Sequence, residues 1–266
     1  MPTPKQPTIV LIPGSFVHSS HYTPTLQPLI SAGTKIHILD PPCYHSKKPG
    51  PAPTMQDDAA FVAEFVSRLA DAGEHIVLAS HSYGGLPSSE SVAGLTLSER
   101  TRNGKQGGIV RLAYVTAVVP KKGNSLPETM IGGVPVPLEA DEDGWLVQTD
   151  IAASTAQCFS SLPPEQGMKE CEKALGTHSA GAFGSKLEYP GYKDVPASWF
   201  FCEDDRCVSP EIQETAIKTI EESWKGTERE GQKVDVTRAK CDHFPTISAQ
   251  KELREWFEGL VKKETV

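Results

Sequence analysis

Short apolar runs of strand type alternate along this chain with stretches whose apolar residues recur at helical spacing. The runs "TIVLI" (8–12), "KIHIL" (35–39), "HIVLA" (75–79), "VRLAYVTAV" (110–118), "SWFFC" (198–202) and "KVDVTRA" (233–239) are read as strands. Between the second and third lies "TMQDDAAFVAEFVSRLADAG", where Thr54 and Asp57 form a helix-capping pair. Phe61, Val62, Phe65, Val66 and Leu69 make one apolar stripe there, and Gly73 ends the helix. The last stretch, "AQKELREWFEGLVKKE", places Leu253, Trp256, Phe257 and Leu260 on one helical face. Strands alternating with helices predict an α/β fold: a mostly parallel central sheet with helices on both faces.

Residues 121–196 interrupt that rhythm, a separation between two core strands far longer than an ordinary connection. The stretch is rich in Gly and Pro at "IGGVPVPLEADEDGW" and helical around "PPEQGMKECEKALG". It is expected to be a lid packed over one edge of the sheet, with 1–120 and 197–266 forming the core. No internal repeat or low-complexity tract divides the chain further.

Composition changes this picture little, but charge narrows the partners. Hydrophobic residues make up 38% and charged residues 23%, ordinary for a globular protein. A net charge of −8 repels phosphate backbones and anionic lipid, so neither nucleic acid nor membrane is an expected partner. With no long apolar stretch and no signal-peptide pattern at the N-terminus, the expectation is a cytoplasmic chain. Six cysteines without a CxxC pair fit neither a disulfide framework nor a zinc site, and they are read as free thiols filling apolar space. No metal is expected.

The candidate chemistry starts where the third strand ends, in "HIVLASHSYGGLPSSE". Ser82 stands there with small residues two before (Ser80) and two after (Gly84), the pattern of a strand–turn–helix elbow that presents a nucleophile. Short Ser/Gly turns are common, so the motif carries weight only with a base and an orienting acid elsewhere. Both are supplied in the required order. The strand "SWFFC" runs into Glu203, Asp204 and Asp205, and the last strand is followed by His243. The earlier strand end, "TAVVPKKGNS", offers no rival carboxylate. After the first strand comes "VLIPGSFVHSSHY", where Gly14 lets the chain turn so that the Ser15 amide faces a developing oxyanion. The Tyr83 amide, directly after the serine, is the second expected donor. Gly14, Phe16, His18 and Trp145 are read as substrate-pocket residues, with a structural role equally open to His18.

In family order, "PGSFVHSSHY", "DDAAFVAEFV", "SHSYGG", "CEDDRCVSP" and "CDHFP" resemble the α/β-hydrolases, specifically the small short-lid esterases and hydroxynitrile lyases. The resemblance runs nearly end to end. It implies Ser82 as nucleophile, His243 as base and Asp205, five residues before Pro210, as acid, with Asp204 the fallback. Ser80 departs from the glycine usual at that position.

The implied reaction is acyl transfer on a small apolar ester or lactone, through an acyl-enzyme and without a cofactor. Ile131, Val134, Val136, Leu138, Trp145 and Phe183 are the lid side chains expected to supply an apolar pocket. Lyases of this group resemble a different local pattern, a threonine where Gly14 stands and a lysine where Phe244 stands, which favours hydrolysis here. A cofactor-free C–C bond-cleaving enzyme and a binding protein with an idle triad remain as alternatives. Substrate identity and homodimerisation are left open by the sequence.

Overall fold

The computed structural model describes residues 6–44, 50–134 and 136–263. Six parallel strands form the central sheet: β1 (Thr8–Ile12), β2 (Ile36–Ile38), β3 (His75–His81), β4 (Gly108–Val115), and, beyond the insert, β8 (Ala197–Cys202) and β9 (Asp235–Ala239). Their spatial order is β2-β1-β3-β4-β8-β9. The insert contributes a separate antiparallel sheet of β5 (Leu138–Ala140), β6 (Trp145–Gln148) and β7 (His178–Ser179).

Because the middle strands are covered on both faces, every residue of β1 and β8 is buried, and their sequences read as near-continuous apolar runs interrupted only by Thr8 and Ser198. The strand period of two then sorts side chains between two cores. Val10, Ile12, Leu78, Leu112, Trp199 and Phe201 face α2 (Met55–Asp71) and α9 (Pro210–Ser223). Ile9, Leu11, Val77, Ala79, Val115 and Phe200 face α1 (Ser19–Ser31) and α11 (Gln250–Lys263). Helix α11 seats Leu253, Trp256, Phe257 and Leu260 there, the face expected from its spacing.

The cap at Thr54 forms as the sequence implies. The Asp57 carboxylate accepts from the Thr54 amide at 2.7 Å, and Thr54 Oγ1 accepts from the Asp57 amide at 3.4 Å. The buried face of α2 is rotated from the expected stripe: Met55, Asp58, Ala59, Val62, Val66 and Ala70 are buried, while Phe61 is 37% exposed. An apolar count cannot foresee the rotation, because the buried Asp58 is polar and is held by hydrogen bonds from the Cys43 amide and the Tyr83 hydroxyl.

Strand boundaries differ in two instructive places. β3 continues through Ser80 and His81, and β4 stops at Val115 rather than Val118. Thr116 turns the chain with φ of +34°, and the amide of Val118 then donates to the Ser82 carbonyl at 2.9 Å. The last expected run, 233–239, is shortened to Asp235–Ala239 and the second to the three residues of β2, both at the sheet's edges.

The insert is built from α5 (Leu126–Thr129), the β5–β6–β7 sheet, α6 (Ile151–Cys158), α7 (Pro164–Ala174) and α8 (Ala180–Gly184). Short helices α3 (Gly85–Glu90), α4 (Leu97–Arg102) and α10 (Pro245–Ser248) complete the chain. Isolated bridges join Val17 to Leu175 and Tyr44 to His178, tying the insert to the loops at the carboxyl ends of β1 and β2. Among the described residues no helix is long and apolar enough to cross a membrane.

Candidate active site

Parallel sheets gather the loops after their strands at one edge, and that edge carries the candidate residues. Ser82 follows β3 in a tight 3₁₀ turn, Ser82–Gly84, with φ of +52°. A non-glycine residue at that φ is strained, the signature of a side chain held out from a sharp bend. The bend presses Gly84 on the β1 loop so closely that a Cβ would lie 2.6 Å from the Pro13 carbonyl oxygen. Ser80, in place of the usual glycine, is fully buried and accepts a hydrogen bond from the Ser88 hydroxyl at 3.1 Å. The partner on α3 explains how this departure is accommodated.

Three side chains distant in sequence form one hydrogen-bonded line. Ser82 Oγ lies 2.9 Å from His243 Nε2, and His243 Nδ1 lies 2.7 Å from Asp205 Oδ2. Asp205 is 2% exposed and accepts three further hydrogen bonds: Thr116 Oγ1 at 2.5 Å, the Cys207 amide at 2.7 Å and the Val208 amide at 2.9 Å. Two of these donors come from its own loop, so the aspartate is fixed before it orients the ring. The neighbouring Asp204 is turned toward an open surface hollow lined by Ser160, Ser161, Glu203 and Arg206. Burial by itself opposes the charged imidazole of His243. The Asp205 carboxylate, the Cys207 thiol and their hydrogen bonds outweigh it and hold His243 well above the usual imidazole range.

A second network braces this line. The Tyr22 hydroxyl accepts from the Gly14 amide at 2.8 Å and donates to His81 Nδ1 at 2.7 Å. His81 Nε2 is then the protonated nitrogen and donates to the His243 carbonyl oxygen at 2.8 Å. Burial and the neighbouring His243 hold His81 well below the usual imidazole range, so it stays neutral and keeps this single donor arrangement. Through it the β1 loop, the serine turn and the histidine loop are clamped together. On the other flank, the Tyr83 side chain is buried and donates to Asp58 at 2.9 Å; burial raises the Asp58 carboxyl to about 7.

Two connected spaces open at Ser82. A cavity of about 280 Å³ is lined by Ser15, Phe16, Val118, Met130, Leu138 and Phe183 among others, and is mostly apolar. A smaller hollow of about 40 Å³ lies beside His243, bounded by Gly14, Gln148, Leu175 and Phe244. Val134 and Val136 from the insert also face the larger space. Ile131 projects outward at 79% exposure.

His18 and Trp145 line neither space. His18 lies on the surface with Asp40 at 3.4 Å, and Trp145 is sealed inside the insert, its amide bound to Asp141. Alternation along β6 is the reason: Trp145 packs inward, while Gln148, three residues on, reaches the hollow. Tyr22, His81, Thr116 and Gln148 were not singled out by sequence reasoning, and Cys207 stood out only as a cysteine beside the acid whose role was open. Of the four, only His81 carried a visible signal, its place directly before the serine turn.

Among the described residues no group of three or more His, Cys, Asp or Glu side chains could hold a metal ion.

A fold of this order, with a strained serine after β3 and a histidine after the last strand, defines the α/β-hydrolase class. The model of the alpha/beta hydrolase family matches residues 9–256, and the chain belongs to that family. It is 28% identical over 248 residues to a Phoma sp. protein named "Probable hydrolase R7", covering 93% of this chain and 95% of that one. Its fold is similar to a pyrethroid hydrolase from Sphingobium faniae, with a TM-score of 0.70 at 20% identity over 96% of this chain and 97% of that chain. Polyneuridine aldehyde esterase is similar at TM-score 0.66 and 16% identity over 96% and 99%.

Proposed function

We propose that this chain is a serine hydrolase that cleaves small apolar carboxylic esters or lactones through an acyl-enzyme. The observation that carries the reading is the hydrogen-bonded line Ser82–His243–Asp205 opening on a mostly apolar cavity. An esterase among the proteins of similar fold and a named hydrolase among the sequence relatives agree with it.

In this mechanism the substrate's acyl part enters the larger cavity and its carbonyl carbon approaches Ser82 Oγ. His243 Nε2 takes the serine proton as the C–O bond forms, and Asp205 holds Nδ1–H so that the ring presents the correct nitrogen. The carbonyl oxygen gains negative charge and rests on the amides of Ser15 and Tyr83. His243 returns the proton to the departing alcohol, which leaves past the smaller hollow. Water repeats the sequence and frees the acid. No step calls for a cofactor.

Two local features weigh against the lyase reading. A Cβ at Gly14, where lyases of this group carry threonine, would lie 2.8 Å from His81 Nδ1. Phe244, where they carry lysine, puts an apolar ring there instead of a cation, stacked on Phe159 at 4.4 Å between ring centres.

Labelling with a fluorophosphonate, followed by peptide mapping, tests the assignment. The adduct is expected on Ser82, with short-chain nitrophenyl esters turned over and mandelonitrile left at the background rate. The Ser82→Ala protein should keep its circular dichroism and lose the activity. Cleavage of mandelonitrile faster than any ester would replace the hydrolase with a lyase. A labelled serine without turnover of any ester or lactone would favour a C–C bond-cleaving enzyme or an idle triad.

A further inference from the structure

Two pairs of cysteine side chains adjoin one another, Cys202 with Cys241 and Cys158 with Cys207. The first pair is enclosed in the core, both residues at zero exposure. The second borders open space: both thiols line the hollow shared with Ser82 and His243, and Cys207 also lines the larger cavity. Cys158 ends α6 of the insert, whereas Cys207 lies two residues after Asp205 in a core loop. The pair therefore spans the seam between insert and core, at the point where a small molecule would reach the serine.

We propose that Cys207 is a hydroperoxide-reactive site and that its oxidation ends in a Cys158–Cys207 disulfide stitching the insert to the core.

The local chemistry assigns the roles. Cys207 is half-buried and lines both spaces whereas Cys158 is buried, so a peroxide meets Cys207 first. The adjoining Cys158 and the His243 imidazole outweigh burial and make Cys207 more acidic than an ordinary thiol. Cys158, buried beside Cys207, is held well above the ordinary range. The Cys207 thiolate attacks the nearer peroxide oxygen, the O–O bond breaks, and the departing alkoxide or hydroxide takes a proton. The sulfenic acid so formed meets the Cys158 sulfur. An S–S bond forms, the S–O bond breaks, and water leaves with the Cys158 proton. Overall, two thiols and one hydroperoxide give a disulfide, an alcohol (or water) and water.

The bridge would act on the proposed catalytic line, a consequence that rests on the hydrolase reading. Cys207 Sγ would leave His243, and its amide, which holds Asp205 at 2.7 Å, would be drawn toward α6. Displacements of about 1 Å at such a positioning contact cost on the order of a hundredfold in rate.

The test exposes the reduced protein to hydrogen peroxide and to tert-butyl hydroperoxide, blocks remaining thiols with N-ethylmaleimide and maps non-reduced peptides. The expected product is a Cys158–Cys207 crosslink with Cys202 and Cys241 still alkylated as free thiols after unfolding. Dithiothreitol should reverse it. The Cys158→Ala protein should instead accumulate a dimedone-reactive sulfenic acid on Cys207. Oxidation first at Cys43 or Cys171, a Cys202–Cys241 crosslink, or a Cys207 that stays reduced would overturn the proposal. Ester turnover is followed in parallel, and the bridged protein should lose about tenfold or more until reduced. A reduced protein inert to every ester would sink the hydrolase reading while the map still decides the crosslink.

Discussion

Three donors and one histidine meet on the Asp205 carboxylate, and their arrangement makes it a fixed negative charge behind the ring. Asp205→Asn keeps the shape but offers an amide where a carboxylate must accept the ring proton, so turnover should fall on the order of 10⁴-fold. Asp204→Asn, changed on the open surface, should leave kcat within about twofold. Steady-state kinetics on one nitrophenyl ester compares the two, and a reversal would move the acid to Asp204. The pH dependence has a definite sign. In the proposed mechanism His243 accepts the serine proton only when neutral, and its pKa is raised, so kcat/KM should climb with pH through a limb above the ordinary imidazole value of about 6.5. The same pairing stabilises the fold fully below that ordinary value and is lost as pH rises through the elevated one. Asp205→Asn should bring the limb down, which a pH–rate profile reads directly.

Among the elements, α2 shows how local signals and tertiary demands divide the work. Its cap is local: Thr54 and Asp57 answer each other's amides within one turn. Thr54→Ala should cost about 1 kcal/mol, measured as a lower urea midpoint with unchanged slope. Its buried face is not local, because Asp58 is turned inward to serve Cys43 and Tyr83 from other parts of the chain. The turn after β3 behaves similarly. The small residues around Ser82 are readable, but the 2.6 Å approach to the Pro13 carbonyl that makes Gly84 obligatory belongs to a neighbouring loop.

At the scale of the whole molecule, core and insert each supply one wall of the larger cavity. Phe16, Ser82 and Val118 come from the core, and Val136, Leu138 and Phe183 from the insert. Substrate size is therefore expected to be set at their meeting. Leu138→Trp should fill part of the 280 Å³ and raise KM for hexanoate and longer nitrophenyl esters by about tenfold or more. Acetate should be turned over nearly as before. A chain-length series in the wild type and the variant checks this, and equal effects on acetate and hexanoate would place the acyl group elsewhere.

The mostly apolar runs of β1, β3 and β8 were legible in the chain because a strand covered on both faces buries nearly all its side chains, the buried polar Thr8, Ser80, His81 and Ser198 being the exceptions. The order of serine, acidic loop and histidine was legible because each stands at a strand end. The resemblance singled out Asp205 from its two acidic neighbours by its distance from Pro210, but the bonds that hold it, from Thr116 and Val208, were not legible, one being made by a turn at positive φ that "VTAV" does not announce. The same holds for Tyr22 and His81, whose network joins residues far apart in sequence. Trp145 and Cys207 mark the limit most clearly. Size and hydrophobicity pointed to the tryptophan, but the direction a side chain takes is decided by its neighbours, which seal Trp145 away in the insert and leave the smaller Cys207, on a core loop, facing the cavity. Periodicity determined the layers and the order of the chemistry; packing decided which side chains meet in it, because contact depends on distances that sequence spacing alone does not contain.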